Sequence, residues 1–176
     1  MENITNLQKK VDFYKEVLNN TKNNRITWQQ SLKKELTDLL KIYGDATKLD
    51  YKLEFKSTLE NLEAVIFSLG AEFSGIEEEV SGEISRPLIK HNGSLIYQQL
   101  FNGKIMVAYN LPFIEKYGEQ SPLRPIAIYR PEELKEAYIL RHLETFVEEV
   151  AKWEDYDDDK PEPNQGIGFK MNLGPK

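Results

Sequence analysis

The sequence has no cysteine, so it offers no disulfide, no thiol nucleophile and no thiolate metal ligand. Long apolar runs are also missing. The richest stretch, around Ala64–Leu69, is far shorter than the roughly 20 residues a bilayer-crossing helix needs. The opening residues, Met1-Glu-Asn-Ile-Thr-Asn6, carry neither the basic nor the apolar region of a secretory signal. A cytoplasmic protein is the expectation, with no membrane association. Histidine is scarce: His91 and His142 stand alone, outside any HExxH-like spacing, and each reads as a surface or boundary residue. No GxSxG, SxxK or dinucleotide-binding pattern occurs. No catalytic residue, cofactor or metal ligand is therefore assigned, and enzymatic activity is not the leading expectation.

Positive charge is short overall, with a net charge of −6, and its distribution says more than its sum. Residues 1–47 carry eight Lys/Arg against six Asp/Glu, whereas residues 131–159 carry three against eleven. Nucleic-acid binding rests on clustered cations that neutralise phosphates, so this balance argues against it. The acidic segment reads first as a solvated helix face, though it would also attract a basic partner.

What the chain does contain is regular patterning. Ile4, Leu7, Val11, Tyr14 and Leu18 alternate spacings of three and four, a helical stripe widened by Phe13 and Val17. The polar run Asn19–Arg25 reads as a break. Thr27 with Gln30 fits a capping box for a second helix through Trp28, Leu32, Leu36, Leu39, Leu40 and Tyr43, closed by Gly44. Two such helices predict an antiparallel hairpin over residues 1–47. Leu49–Lys56 alternates apolar and charged residues as a half-buried strand does. Residues 58–69 fit a helix by spacing, while Val65-Ile66 leaves a strand open. Residues 71–82 suggest a turn, a short helical piece and an exit loop.

Two Asn-Gly steps, at 92–93 and 102–103, separate strand-like runs. They lie outside any strand-to-helix phosphate loop, so they read as hairpin corners. Two-residue turns there would make a three-stranded meander over 84–111, with 84–91 at an edge because Pro87 cannot donate to a ladder. One face would collect Ile89, Ile96, Leu100, Ile105, Val107, Tyr109 and Leu111. The other would collect Ile84, Leu88, Leu95, Tyr97, Phe101, Met106 and Ala108, beside Arg86. That second face is too apolar for open water. Either the helical hairpin covers it, or a protein partner, a second copy or a ligand does. The candidate binding residues are Tyr97, Phe101, Met106, Leu88 and Arg86.

A proline-bearing loop follows, then a short strand at Ile126–Tyr129 and a long helix opened by Pro131. Its inward stripe is expected to be Ile139, Leu140, Leu143, Phe146, Val147, Val150 and Trp153. Asp155, Asp157 and Asp159 mimic the start of an EF-hand loop, but Lys160 stands where its glycine belongs and Gly166 where its glutamate belongs. The run reads as a solvated helix end before a mobile tail.

The segments NGKIMVAYNLPFIE and YRPEELKEAYILRHLETFVEEVAKWED resemble the ending of type III secretion chaperones and of the YbjN-like proteins that share their fold. The resemblance covers about the C-terminal third and carries no diagnostic motif. It implies a small acidic α+β protein that binds extended polypeptides, often as a dimer. The chain as a whole predicts an α+β fold: a helical hairpin arm (1–47), an α+β domain with an antiparallel sheet and long C-terminal helix (48–153), and an acidic end and tail (154–176). The expected function is a non-enzymatic protein-interaction or chaperone-like module. The alternative is a small-ligand-binding or enzymatic domain whose pocket lies between sheet and helices, near Tyr109, Arg124 or His142.

Overall fold

The computed structural model describes residues 4–82 and 84–156. Asp157, Asp159 and the tail from Lys160 lie outside the described residues. The architecture is α+β: helices first, antiparallel strands next and a long helix last, as the sequence pattern predicts. α1 (Thr5–Thr27) and α2 (Lys33–Thr47) are joined by a π-helical segment, Trp28–Leu32.

The expected break at Asn19–Arg25 is not a break. These residues are helical, and the backbone stays right-handed helical through both junctions of the π segment. The two helices therefore run end to end rather than folding back as a hairpin. Short polar side chains are tolerated because they bond back along the helix. Thr21 Oγ1 donates to the Val17 carbonyl at 3.1 Å, and Thr27 Oγ1 to that of Asn23 at 3.0 Å. Thr27 is thus no cap, and α2 runs past Gly44 to Lys48, whose left-handed φ of 57° closes it.

The π segment has a cause in the sequence. Asn24, Trp28, Leu32, Leu36, Leu40 and Gly44 are all buried, and they recur every four residues. In an α-helix each step of four advances about 40° round the axis, so five steps would carry the buried line to the far side. A wider turn takes back part of that rotation. The π segment keeps Trp28, Leu36 and Leu40 on one face, each fully buried.

Among the described residues eight strands follow: β1 (Lys52–Lys56), β2 (Ala64–Ser68), β3 (Ala71–Ser81), β4 (Ile84–His91), β5 (Ser94–Gln99), β6 (Ile105–Asn110), β7 (Phe113–Ile114) and β8 (Arg124–Tyr129). They form a five-stranded antiparallel sheet ordered β1-β2-β5-β6-β8 and a three-stranded sheet ordered β3-β4-β7. Residues 64–68 are strand, not helix, and Val65, Ile66 and Phe67 are all buried, so no alternation marks them in sequence. Residues 71–81 are strand as well, with register shifts between Phe73 and Glu77, around Gly75, and between Glu79 and Ser81.

The expected meander is corrected in two ways. β4 does not pair with β5. It belongs to the second sheet, and Asn92-Gly93 links the sheets, with Asn92 N–H donating to the Gly70 carbonyl and Leu69 N–H to that of Gly93. Nor is β4 the expected edge: it is the middle strand of its sheet, with Pro87 opposite Glu77, and β7 pairs only with Lys90 and His91, so no strand flanks Pro87 on that side among the described residues. The β5–β6 hairpin exists, but its register is one residue off: Gln99, not Leu100, pairs with Ile105. Asn102 is not among the positive-φ residues, while Gly103 has φ +73°. Hence the corner is a wider turn with a left-handed glycine instead of the two-residue type I′ turn. A one-residue slip moves every side chain to the opposite face. Leu95 and Tyr97 therefore point into the core with Ile105 and Val107.

That core face lies under α2, the π segment and α3 (Glu136–Glu154). α3 starts later than expected: Pro131–Glu133 is a 3-10 turn, and Leu134 and Lys135 are extended before the helix begins. Ile139, Leu143 and Phe146 are buried as expected, whereas Leu140 and Val147 are exposed along one flank. His142, expected at a boundary, is buried.

Candidate functional site

The five candidate binding residues do not converge. Tyr97 is fully buried in the core of the large sheet. Phe101 is at the tip of the β5–β6 turn, 76% exposed, and its carbonyl accepts from the Arg25 guanidinium at 2.8 Å. Met106, half-buried, is on the reverse face of β6 opposite Gln98. Leu88 and Arg86 belong to the other sheet, Leu88 buried and Arg86 exposed with its guanidinium 3.4 Å from Glu78. The grouping depended on β4 pairing with β5 and on the turn register, and neither holds.

The residues of the alternative reading meet only in part. Tyr109 Oη donates to Glu149 Oε2 at 3.2 Å, and Arg124 reaches the same oxygen at 3.3 Å. The Lys152 ammonium, also bonded to Glu149, heads the influences that hold that carboxyl below the usual range. His142 lies apart, between two phenols: Tyr97 Oη is 3.2 Å from Nδ1 and Tyr129 Oη 3.1 Å from Nε2. Burial, with help from the Arg141 charge, pushes the imidazole pKa down to about 4. Burial likewise raises the Tyr97 phenol. A neutral imidazole has one donor and one acceptor nitrogen, so it satisfies one hydroxyl on each side. This is a core network that locks α3 to β5 and β8.

The open surface lies on the other flank of α3. Between the C-terminal half of α2 and α3 runs an apolar groove of about 500 Å³. α2 and the residues after it supply Tyr43, Ala46, Thr47 and Leu49, and α3 supplies Leu140, Leu143 and Val147. Among the described residues, the charged members of its lining are Glu144 and Glu148. Glu148 pairs with Lys152 at 2.8 Å, while Glu144 makes no ion pair among the described residues. Sequence spacing had put Leu140 and Val147 on the inward stripe. They line this groove instead.

The groove's walls are held by particular contacts. Tyr43 Oη donates to Glu136 Oε1 at 2.7 Å, tying α2 to the start of α3, and this carboxylate raises the phenol's pKa. Gly44 has no side chain because the Tyr51 ring fills that space: a Cβ there would stand 2.5 Å from the ring. Tyr51 in turn stacks on Phe67, with ring centroids 4.8 Å apart, and donates to Asp45 at 2.7 Å. Two smaller hollows, of about 210 and 120 Å³, lie beside Trp153 and beside Gly70.

A second open surface is α1 itself. Of its stripe, Ile4, Leu7, Tyr14 and Leu18 are exposed, by 71, 59, 60 and 46%, and Phe13 and Val17 beside them are exposed too. The helix touches the body through its last turns, where Asn24 Nδ2 donates to the Asn102 carbonyl and the chain passes close to Gly103. The sequence showed the stripe plainly, but not that it would be left uncovered.

Compared with known proteins, the chain matches no family model, no curated protein and no solved structure. Among the described residues, no helix is long and apolar enough to cross a membrane.

Proposed function

We propose that this chain is a non-enzymatic protein-interaction module, chaperone-like in taking up a segment of another polypeptide, and that it does so in the groove between α2 and α3. The observation that carries the reading is the groove itself: wide, apolar along its floor, and charged in its described lining through Glu144 and Glu148. A small-molecule site usually sets a few convergent polar groups to orient its ligand. A helix-binding groove needs instead an apolar trough to receive side chains spaced three and four apart. Acidic edges favour a segment with lysine or arginine flanking its apolar face. The resemblance to polypeptide-binding chaperones agrees with this reading and adds the expectation of a dimer.

The absence of cysteine makes the test clean. Ala151 is exposed one turn beyond Val147, so Ala151→Cys places an environment-sensitive fluorophore at the groove's end. Titration with a synthetic Leu/Lys amphipathic helix should give a saturable blue shift. Leu140→Ser, at a solvent-facing position, should weaken binding by roughly tenfold or more without lowering stability. No saturable binding, or binding indifferent to Leu140→Ser, would remove the reading.

A further inference from the structure

From the two open surfaces together, we infer that the segment which fills the groove is α1 of a second copy of this chain. The inference rests on the groove reading above and names its occupant. A helix in a protein draws most of its stability from packing its apolar face. No residue in the first four turns of α1 is buried, Val11 alone being half-buried, and its N-cap Ile4 makes no side-chain capping bond. A span of about 1.5 Å per residue from Ile4 to Asn20 makes an arm of roughly 24 Å. It ends in an apolar stripe of regular three-four spacing, the pattern that fits a trough between two helices.

Charge decides among the candidate occupants. Between Thr5 and Thr27, five Lys/Arg stand against two Asp/Glu, a net of +3. Within α3, Glu136–Glu154, five Glu stand against two Lys/Arg, a net of −3. With Ile4 taken as the first position of a heptad, the positions flanking the stripe hold Lys10, Lys15 and Lys22 and no acid. Asp12 and Glu16 fall on its back. Two arms laid against each other would therefore line up like charges along their seam in either orientation. The groove offers the opposite sign in Glu144, with Glu148 beside it already paired to Lys152 at 2.8 Å. Its 500 Å³ admits several large side chains but not a whole helix. The arm would lie across the mouth with the Leu7, Val11 and Tyr14 side chains inserted and its lysines over the glutamates. Exchanged reciprocally, two such contacts close a symmetric pair, which halts growth at two copies.

The experiment is sedimentation velocity on the full chain over a concentration series. Three proteins are compared: the unaltered chain, an arm variant (Leu7→Ser with Tyr14→Ser) and a groove variant (Leu140→Glu). All the altered positions are exposed, and cooperative urea unfolding checks that each variant folds. The unaltered chain should form dimers that weaken as salt rises from roughly 50 to about 500 mM. Each variant alone should dissociate by roughly tenfold or more. A mixture of the two variants should associate more than either alone, because one intact arm then meets one intact groove. The inference is overturned if the unaltered chain stays monomeric, if only the arm variant dissociates, or if mixing restores nothing. The Leu/Lys peptide titrated into the arm variant separates the two proposals. Peptide binding beside a monomeric full chain would leave the groove reading and remove this one, whereas no peptide binding removes both.

Discussion

His142 makes stability depend on pH in a way that one substitution isolates. The ring is 2% exposed, with a tyrosine hydroxyl about 3 Å from each nitrogen. Its pKa falls from 6.5 to about 4 in the folded chain, through burial and the Arg141 charge. Charging it would make both nitrogens donors, and the buried Tyr97 hydroxyl would have to turn its proton to another acceptor. The unfolded chain, with its histidine at the ordinary value, takes up the proton first. Stability is thus complete above pH 6.5 and falls as the pH drops toward 4, where the native ring charges too and the loss levels off. A gap of that size corresponds to about 3 kcal/mol. The comparison is urea unfolding of the unaltered chain and His142→Phe from pH 8 to pH 4, followed by circular dichroism. At pH 8 the variant should be weaker by about 1–3 kcal/mol, because it orphans the Tyr97 hydroxyl. Toward pH 4 the two curves should converge, since carboxylate protonation affects both alike. Parallel curves, or an imidazole NMR titration near 6.5, would refute the argument.

Two glycine substitutions test the local packing by the same assay. Gly103→Ala should cost about 2 kcal/mol or more, since its φ is +73° and a Cβ would stand 2.7 Å from Asn24 Cβ. Gly70→Ala, at φ +74° with open space around it, should cost only about 1 kcal/mol; equal costs would mean that the α1 contact is absent. Gly44→Ala should destabilise although alanine is the better helix former, because its methyl meets the Tyr51 ring. In a Tyr51→Leu background the sign should reverse, and additive effects would count against the contact.

The class of fold was legible because helices and strands announce themselves by period: the stripes of α1 and α2, the alternation of β1 and the long run of α3 fall in elements of the expected type, although β1 begins at Lys52 rather than Leu49 and α3 at Glu136 rather than Pro131. The site was not, and the reasons are specific. An Asn-Gly step is compatible with two turn geometries that differ by one residue in register, and that difference sends Tyr97 to the core rather than to the surface. Ala64–Ser68 shows no alternation because both its faces are covered, so its period is silent. β4 and β5 adjoin in sequence but lie in different sheets, which no local signal reveals. The groove is formed by residues 43–49 and 140–148, nearly a hundred positions apart. From sequence alone, Leu140 and Val147 can only read as core.

The wide turn at Trp28–Leu32 has a consequence for the arm beyond the core it serves. Whatever lies upstream is clocked against the body by that one surplus of chain, much as a coupling sets the angle between two shafts. Taking out a single residue there would spin Ile4–Leu18 by about 100° while leaving every residue of the arm, and its stripe, intact. The direction in which this protein offers its greasy edge is therefore set some ten residues away from the edge itself.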